Sequence, residues 1–130
     1  MDLADQLQAA GIRPSRQRLA VARFVLSATS HPSADQVWSA VQRSLPEVSR
    51  ATIYNTLNLF VAHGLLRALN LGEGRVLFDP RTDAHHHFID DETGEVHDIA
   101  WDAVKVTGAE RLPGYDVRAH EVVLRGRRRS

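Results

Sequence analysis

The stretch His85-His86-His87-Phe88-Ile89-Asp90-Asp91-Glu92-Thr93-Gly94-Glu95-Val96-His97-Asp98-Ile99 is the strongest constraint on this chain. Read as a strand, it puts neighbouring side chains on opposite faces, so His85 and His87 share one face and His86 points the other way. A hairpin turn near Thr93-Gly94 then brings Asp98 back towards them. Two imidazoles and one carboxylate on one side of a small sheet begin a site for a divalent metal with nitrogen and oxygen ligands. Asp79 lies just upstream, at the end of the apolar run Val76-Leu77-Phe78, and His31 stands far away in sequence, before an expected helix. Three adjacent His also occur as a solvated polar run. The triplet alone does not choose between that and metal, for which His is the commonest ligand.

The chain has 130 residues and no Cys. That length holds one or two small domains. Lack of Cys excludes disulfides, thiolate zinc sites and thiol redox switches, so His, carboxylates, backbone or water must hold any metal. No apolar run is long enough to span a bilayer. The acidic start Met1-Asp2-Leu3-Ala4-Asp5 has no signal-peptide pattern, which predicts a cytoplasmic protein with no membrane partner. The net charge of zero conceals an asymmetry. Residues 1–76 carry eight Lys/Arg against five Asp/Glu, residues 77–116 three against ten, and residues 117–130 five against one. A basic part suits a polyanion and an acidic part collects cations.

The first half reads as helices. Leu3, Leu7 and Ala10 have helical spacing, ended by Gly11. Ser15 caps a second helix with Leu19, Val21, Ala22, Val25 and Leu26 as its apolar positions. Ser33 and Gln36 form a capping box for a third, with Val37, Trp38 and Val41 as its stripe. Ser49 caps a fourth, from about Arg50 to His63, stopped by Gly64. Two β-rich segments follow, Leu65 to Leu71 and Arg75 to Phe78, joined through Gly72-Glu73-Gly74. Helix-turn-helix followed by a β-hairpin is the winged-helix arrangement. The expected fold class is α+β: a winged helix-turn-helix over 1–80, a linker over 81–84, and a small α/β dimerisation domain over 85–130. A last strand is expected from Val117 to Leu124. The C-terminal part falls under the roughly 60 residues at which a lone core becomes marginal, and it has no disulfide, so a second copy in a twofold homodimer is the natural remedy.

In the fourth helix Ile53, Leu57, Phe60 and Val61 should pack inward. Arg50, Thr52, Tyr54, Asn55 and Asn58 include the exposed positions near its start. In a helix-turn-helix, early residues of the second helix reach base edges in the major groove. There Arg suits guanine, Asn suits adenine, and Thr or Tyr can touch a thymine methyl. An ordinary amphipathic surface helix carries the same stripe. Arg13, Arg16 and Arg18 in the preceding basic segment, together with the wing, add phosphate contacts that favour double-stranded operator DNA.

Taken in order, Gly11-Ile12-Arg13-Pro14-Ser15-Arg16-Gln17-Arg18, His31-Pro32-Ser33-Ala34, Ser49-Arg50-Ala51-Thr52-Ile53-Tyr54-Asn55-Thr56-Leu57 and the His85–Asp98 hairpin resemble the ferric uptake regulator (Fur) family of bacterial metal-dependent repressors. The resemblance implies a regulatory metal between the winged helix and the dimerisation domain, with His31, Asp79, His85, His87 and Asp98 as ligands. Three imidazoles and two carboxylates suit Fe²⁺ or Mn²⁺ better than a closed, Cys-rich structural zinc site. The structural zinc of many relatives is not expected, because Asp90 and Thr93 stand where the first Cys pair would be. An accessory site of some relatives also looks dismantled: His86 could stand in it, but Ala84, Lys105 and Arg127 occupy the other positions. His63, His97 and His120 read as structural or surface residues.

Asp98, in place of Glu, is similar to the peroxide-sensing repressors (PerR), including forms without the structural zinc. In those, ferrous iron and hydrogen peroxide oxidise a ligand imidazole, which by motif position implies His31 or His85 here. The haem-responsive iron regulators, which also carry a His-His-His-Phe run, and the iron-sensing members are the alternatives within the family. A non-haem iron enzyme using His85, His87 and Asp98 as a facial triad is the alternative outside it. A metal-independent winged-helix protein would leave the five-ligand coincidence unexplained.

Overall fold

The structure, a computed structural model, describes residues 2–28, 30–72 and 74–129. The chain divides into two compact units, Met1–Thr82 and Asp83–Ser130.

Four helices open the first unit: α1 (Leu3–Ala9), α2 (Arg16–Val25), α3 (Ala34–Val41) and α4 (Arg50–Ala62). Their boundaries follow from local chemistry. Asp2, Ser15, Ser33 and Ser49 each accept a backbone N–H of the first turn, and Ser33 with Gln36 closes a full capping box. At the end of α4, Gly64 adopts φ 78°, its N–H donates to the Val61 carbonyl and that of Leu65 to Phe60. This reciprocal pair needs a left-handed residue, which glycine supplies without strain. α1 ends the same way at Gly11. Val21, Val25, Val37, Ile53, Leu57 and Phe60 are fully buried in one core. Val61 is only half-buried at its margin, whereas Thr56, not expected inside, is buried with its hydroxyl donating to the Thr52 carbonyl.

A two-stranded wing follows: β1 (Arg67–Asn70) pairs antiparallel with β2 (Val76–Asp79). The first strand begins later than its hydrophobicity suggests, because Leu65 is consumed in closing α4. In the turn, Gly72 and Gly74 both have positive φ; Glu73, expected between them, lies outside the described residues. β2 also bonds back to the segment before α3. The Phe78 N–H donates to the Pro32 carbonyl, and Ser33 bridges Leu77.

The second unit is a three-stranded sheet in the order β4-β3-β5. β3 (His86–Asp90) and β4 (Val96–Ile99) form the expected hairpin, with His87 opposite Asp98. Asp90 builds its turn: one carboxylate oxygen accepts from the N–H groups of Glu92 (2.8 Å) and Thr93 (3.1 Å). The backbone bond from Thr93 is the main reason its carboxyl is held below the usual range. Two 3-10 turns, Trp101–Ala103 and Ala109–Arg111, lead to β5 (Val123–Gly126), which runs parallel to β3. The strand expected over Val117 to Leu124 is therefore shorter and displaced towards the C-terminus. Strands exist by virtue of their ladders, and the regular ladder within this chain covers only residues 123–126 of that segment. Among the described residues this unit buries one apolar side chain, Ile89, and leaves Trp101, Leu112, Tyr115, Val123 and Leu124 exposed.

Candidate metal centre and nucleic-acid interface

In the first unit, the pairing of β2 with the Pro32 segment brings His31 to Asp79. Nε2 of His31 lies 3.2 Å from Oδ2 of Asp79, and both side chains are almost fully buried. The other carboxylate oxygen accepts the Arg81 N–H at 2.9 Å.

In the second unit, strand alternation and the hairpin register gather His85, His87 and Asp98. Nε2 of His85 lies 3.4 Å from Oδ1 of Asp98, and Nε2 of His87 lies 3.7 Å from the same oxygen. The two rings meet edge to face with centroids 4.6 Å apart. Both histidines are buried. Nδ1 of His85 lies 2.7 Å from the Asp83 carbonyl, which can only accept, so Nδ1 donates and, in the neutral ring, Nε2 carries the lone pair. This is the arrangement that orients a metal-binding histidine. A divalent cation satisfies the two Nε2 atoms and the carboxylate at once. The donor set is imidazole and carboxylate without thiolate, which fits Fe²⁺ or Mn²⁺.

His86, on the opposite face, has both nitrogens committed. Nδ1 accepts from the Val122 N–H at 2.9 Å, and Nε2 donates to the Trp101 carbonyl at 3.1 Å. Its ring stacks on Trp101, with centroids 4.5 Å apart. It fastens the strands and has no lone pair to give a metal. His120 packs on the other side of this cluster, 4.8 Å from Trp101. His63 donates to the Ala10 carbonyl at the α1 end, and His97 pairs with Glu95.

On α4, Tyr54, Asn55 and Asn58 are exposed. A groove of about 410 Å³ separates this helix from the start of α2, and Arg13, Arg18, Thr52 and Asn55 are among its lining residues. The neighbouring groups are less free than their sequence positions suggest. The Arg18 guanidinium donates to the Arg13 carbonyl at 2.8 Å, and Arg16 lies 4.0 Å from Glu47. Thr52 accepts from the Ser49 hydroxyl. Arg50 pairs with Asp35 at 3.4 Å and lies over the Trp38 ring at 4.1 Å. Asp35 and Trp38 were not legible as its partners, because their approach depends on how α3 and α4 cross. Glu121, beside His87, was missed for a similar reason: it is placed by the backbone bond from His87 to Val122, just before β5.

The sequence matches the model of the ferric uptake regulator family over residues 9–125. The chain belongs to the ferric uptake regulator family. Members are metal-responsive transcriptional regulators. The chain is 33% identical over 122 residues to the peroxide-responsive repressor PerR of Staphylococcus aureus (strain Mu50 / ATCC 700699), covering 92% of this chain and 82% of that protein. Its structure is similar to that of the Pseudomonas aeruginosa ferric uptake regulator with manganese, with a TM-score of 0.75, 27% identity and full coverage of both chains. The Campylobacter jejuni peroxide stress regulator shares the fold, with a TM-score of 0.70 and 23% identity over 100% of this chain and 98% of that one. The α+β fold, a winged helix-turn-helix followed by a small β-rich domain, is thus the Fur fold. Among the described residues no helix is long and apolar enough to cross a membrane.

Proposed function

We propose that this Fur-family protein is a homodimeric repressor that binds operator DNA when Fe²⁺ or Mn²⁺ is bound and releases it when hydrogen peroxide oxidises His31 or His85. The observation that carries the reading is the convergence of His85 Nε2 and His87 Nε2 on one Asp98 oxygen, with the His85 tautomer set by the Asp83 carbonyl. The His31–Asp79 pair supplies the remaining ligands. A metal held by these residues would raise operator affinity, a coupling free energy between metal and DNA. Bound Fe²⁺ would supply the electrons that activate peroxide. Similarity to PerR of S. aureus supports peroxide, rather than iron or haem, as the signal.

DNA contact falls to α4 and the α2 start. Tyr54 and Asn55, the exposed residues of the helix's first turns, are the base readers, with Arg50 and Thr52 beside them. Arg13, Arg16 and Arg18 serve the phosphates. Tyr54→Ala should cost about 1–3 kcal/mol on operator DNA and blunt discrimination, whereas Arg16→Ala should weaken all sequences and flatten the salt dependence. Competition binding at two salt concentrations, on an operator selected from random DNA with Mn²⁺ present, checks this. Equal losses for Tyr54→Ala on operator and random DNA would remove α4 from the groove.

The homodimer is supported by the second unit itself. One buried apolar side chain is far too little core for 48 residues. Both outer strands of the sheet, β4 and β5, offer edges, and exposed Val123 and Leu124 lie on β5. Because Asp90 closes the hairpin turn with its own carboxylate, no structural zinc is required there. Chelator treatment should therefore release DNA and leave a folded dimer in sedimentation. A monomer or an unfolded chain after chelation would mean that a metal holds the assembly together.

A further inference from the structure

His87 has a carboxylate near each of its ring nitrogens. Nε2 lies 3.7 Å from Asp98 Oδ1, and Nδ1 lies 3.7 Å from Glu121 Oε2. The ring is buried, whereas the Glu121 side chain is one-third exposed. A small turn of this flexible side chain would close the 3.7 Å gap to hydrogen-bond distance. The backbone fixes the pairing of the two residues: the His87 N–H donates to the carbonyl of Val122, the residue after Glu121, at 3.0 Å.

We propose that Glu121 is a positioning residue for the metal centre, accepting the Nδ1 proton of His87 and holding the ring with Nε2 aimed at the metal. The proposal rests on the metal reading above. The two lone-pair directions of an imidazole point away from each other, so a metal shared by Nε2 and Asp98 lies on the far side of the ring from Glu121. Glu121 is therefore not a ligand. A neutral ring carries one proton, and a carboxylate beside Nδ1 draws it there and leaves Nε2 as the donor. His85 obtains the same tautomer from a backbone carbonyl, whereas His87 would obtain it from a carboxylate. Because Val122 also binds the His86 ring, the neighbouring residues Glu121 and Val122 face both sides of β3.

The test is Mn²⁺ affinity, by competition with a chelating dye, for the parent, Glu121→Ala, Glu121→Gln and Asp98→Ala. Second-shell partners of metal-binding histidines typically contribute about 10–100-fold in affinity. Glu121→Ala should lose that factor, and Glu121→Gln, which keeps an acceptor oxygen without the charge, should fall between it and the parent. Unfolding transitions in chelator should be unchanged for both. Long-range ¹H–¹⁵N spectra of the Zn²⁺-loaded parent should show the His87 proton on Nδ1. Parent-like Mn²⁺ affinity in Glu121→Ala, a His87 proton on Nε2, or an affinity loss matched by a loss of stability in chelator would each overturn the proposal. If Asp98→Ala abolishes Mn²⁺ binding while Glu121→Ala does not change it, the positioning role fails and the metal site stands. If neither variant changes it, the metal reading itself fails.

Discussion

Replacing His85 or Asp98 with alanine should abolish metal-stimulated operator binding and leave a folded dimer. The expectation follows from how the two residues are held. Asp98 sits on the outer strand β4 with its side chain about one-quarter exposed, so its removal opens no core, yet its Oδ1 is the point on which both Nε2 atoms converge. His85 precedes β3, outside the ladder, and its tautomer is fixed by the Asp83 carbonyl. Coupling between effector and ligand typically amounts to about 5–150-fold in affinity, and this is the whole of what either substitution should remove. Fluorescence anisotropy of a labelled operator, titrated with protein at fixed free Mn²⁺, reads it directly. Parent-like stimulation in either variant would show that the metal acts elsewhere.

Peroxide should inactivate the Fe²⁺ form and spare the Mn²⁺ form. The chain has no Cys, and its single Met is residue 1, so thiol chemistry is unavailable as a switch. What remains is oxidation at the metal's own ligands. Peroxide is the two-electron oxidant: one of its oxygens replaces a ring hydrogen as hydroxyl, and the other leaves as water. Mn²⁺ does not give its electrons to peroxide under the same conditions. The altered ring loses its donor geometry, the metal departs, and with it the coupling that favours DNA. A mass gain of one oxygen on the His31 or His85 peptide, dependent on iron and concurrent with operator release, is the expected result. Iron-loaded protein that stays on DNA with both peptides unmodified, yet is released by haem, would replace peroxide with haem as the signal.

The helical half was legible because its punctuation is local. Ser15, Ser33 with Gln36, and Ser49 cap α2, α3 and α4 in the structure as their spacing predicts, and Gly11 and Gly64 end α1 and α4. The His85–His87–Asp98 cluster was legible for the same reason: two-residue alternation and a turn at Thr93-Gly94 suffice to assemble it. The His31–Asp79 pair was not. No local pattern joins residues so far apart, and only the family resemblance pointed to both; their meeting depends on Phe78 bonding to Pro32. The last strand is shorter than its sequence suggests because a ladder needs a partner, and among the described residues 117–122 form no regular one. The sequence does not show that Arg50, a candidate DNA contact, lies beside Asp35 and over Trp38, because both approaches depend on how α3 and α4 cross.

The central claim is the proposed set of five metal ligands. Anomalous diffraction from crystals of the Mn²⁺-loaded protein tests it most directly. The account predicts a single regulatory manganese in each subunit, ligated by His31, Asp79, His85, His87 and Asp98, with His86 outside the coordination shell. A manganese bound by His85, His87 and Asp98 without His31 and Asp79, or one lodged at His86, would contradict it.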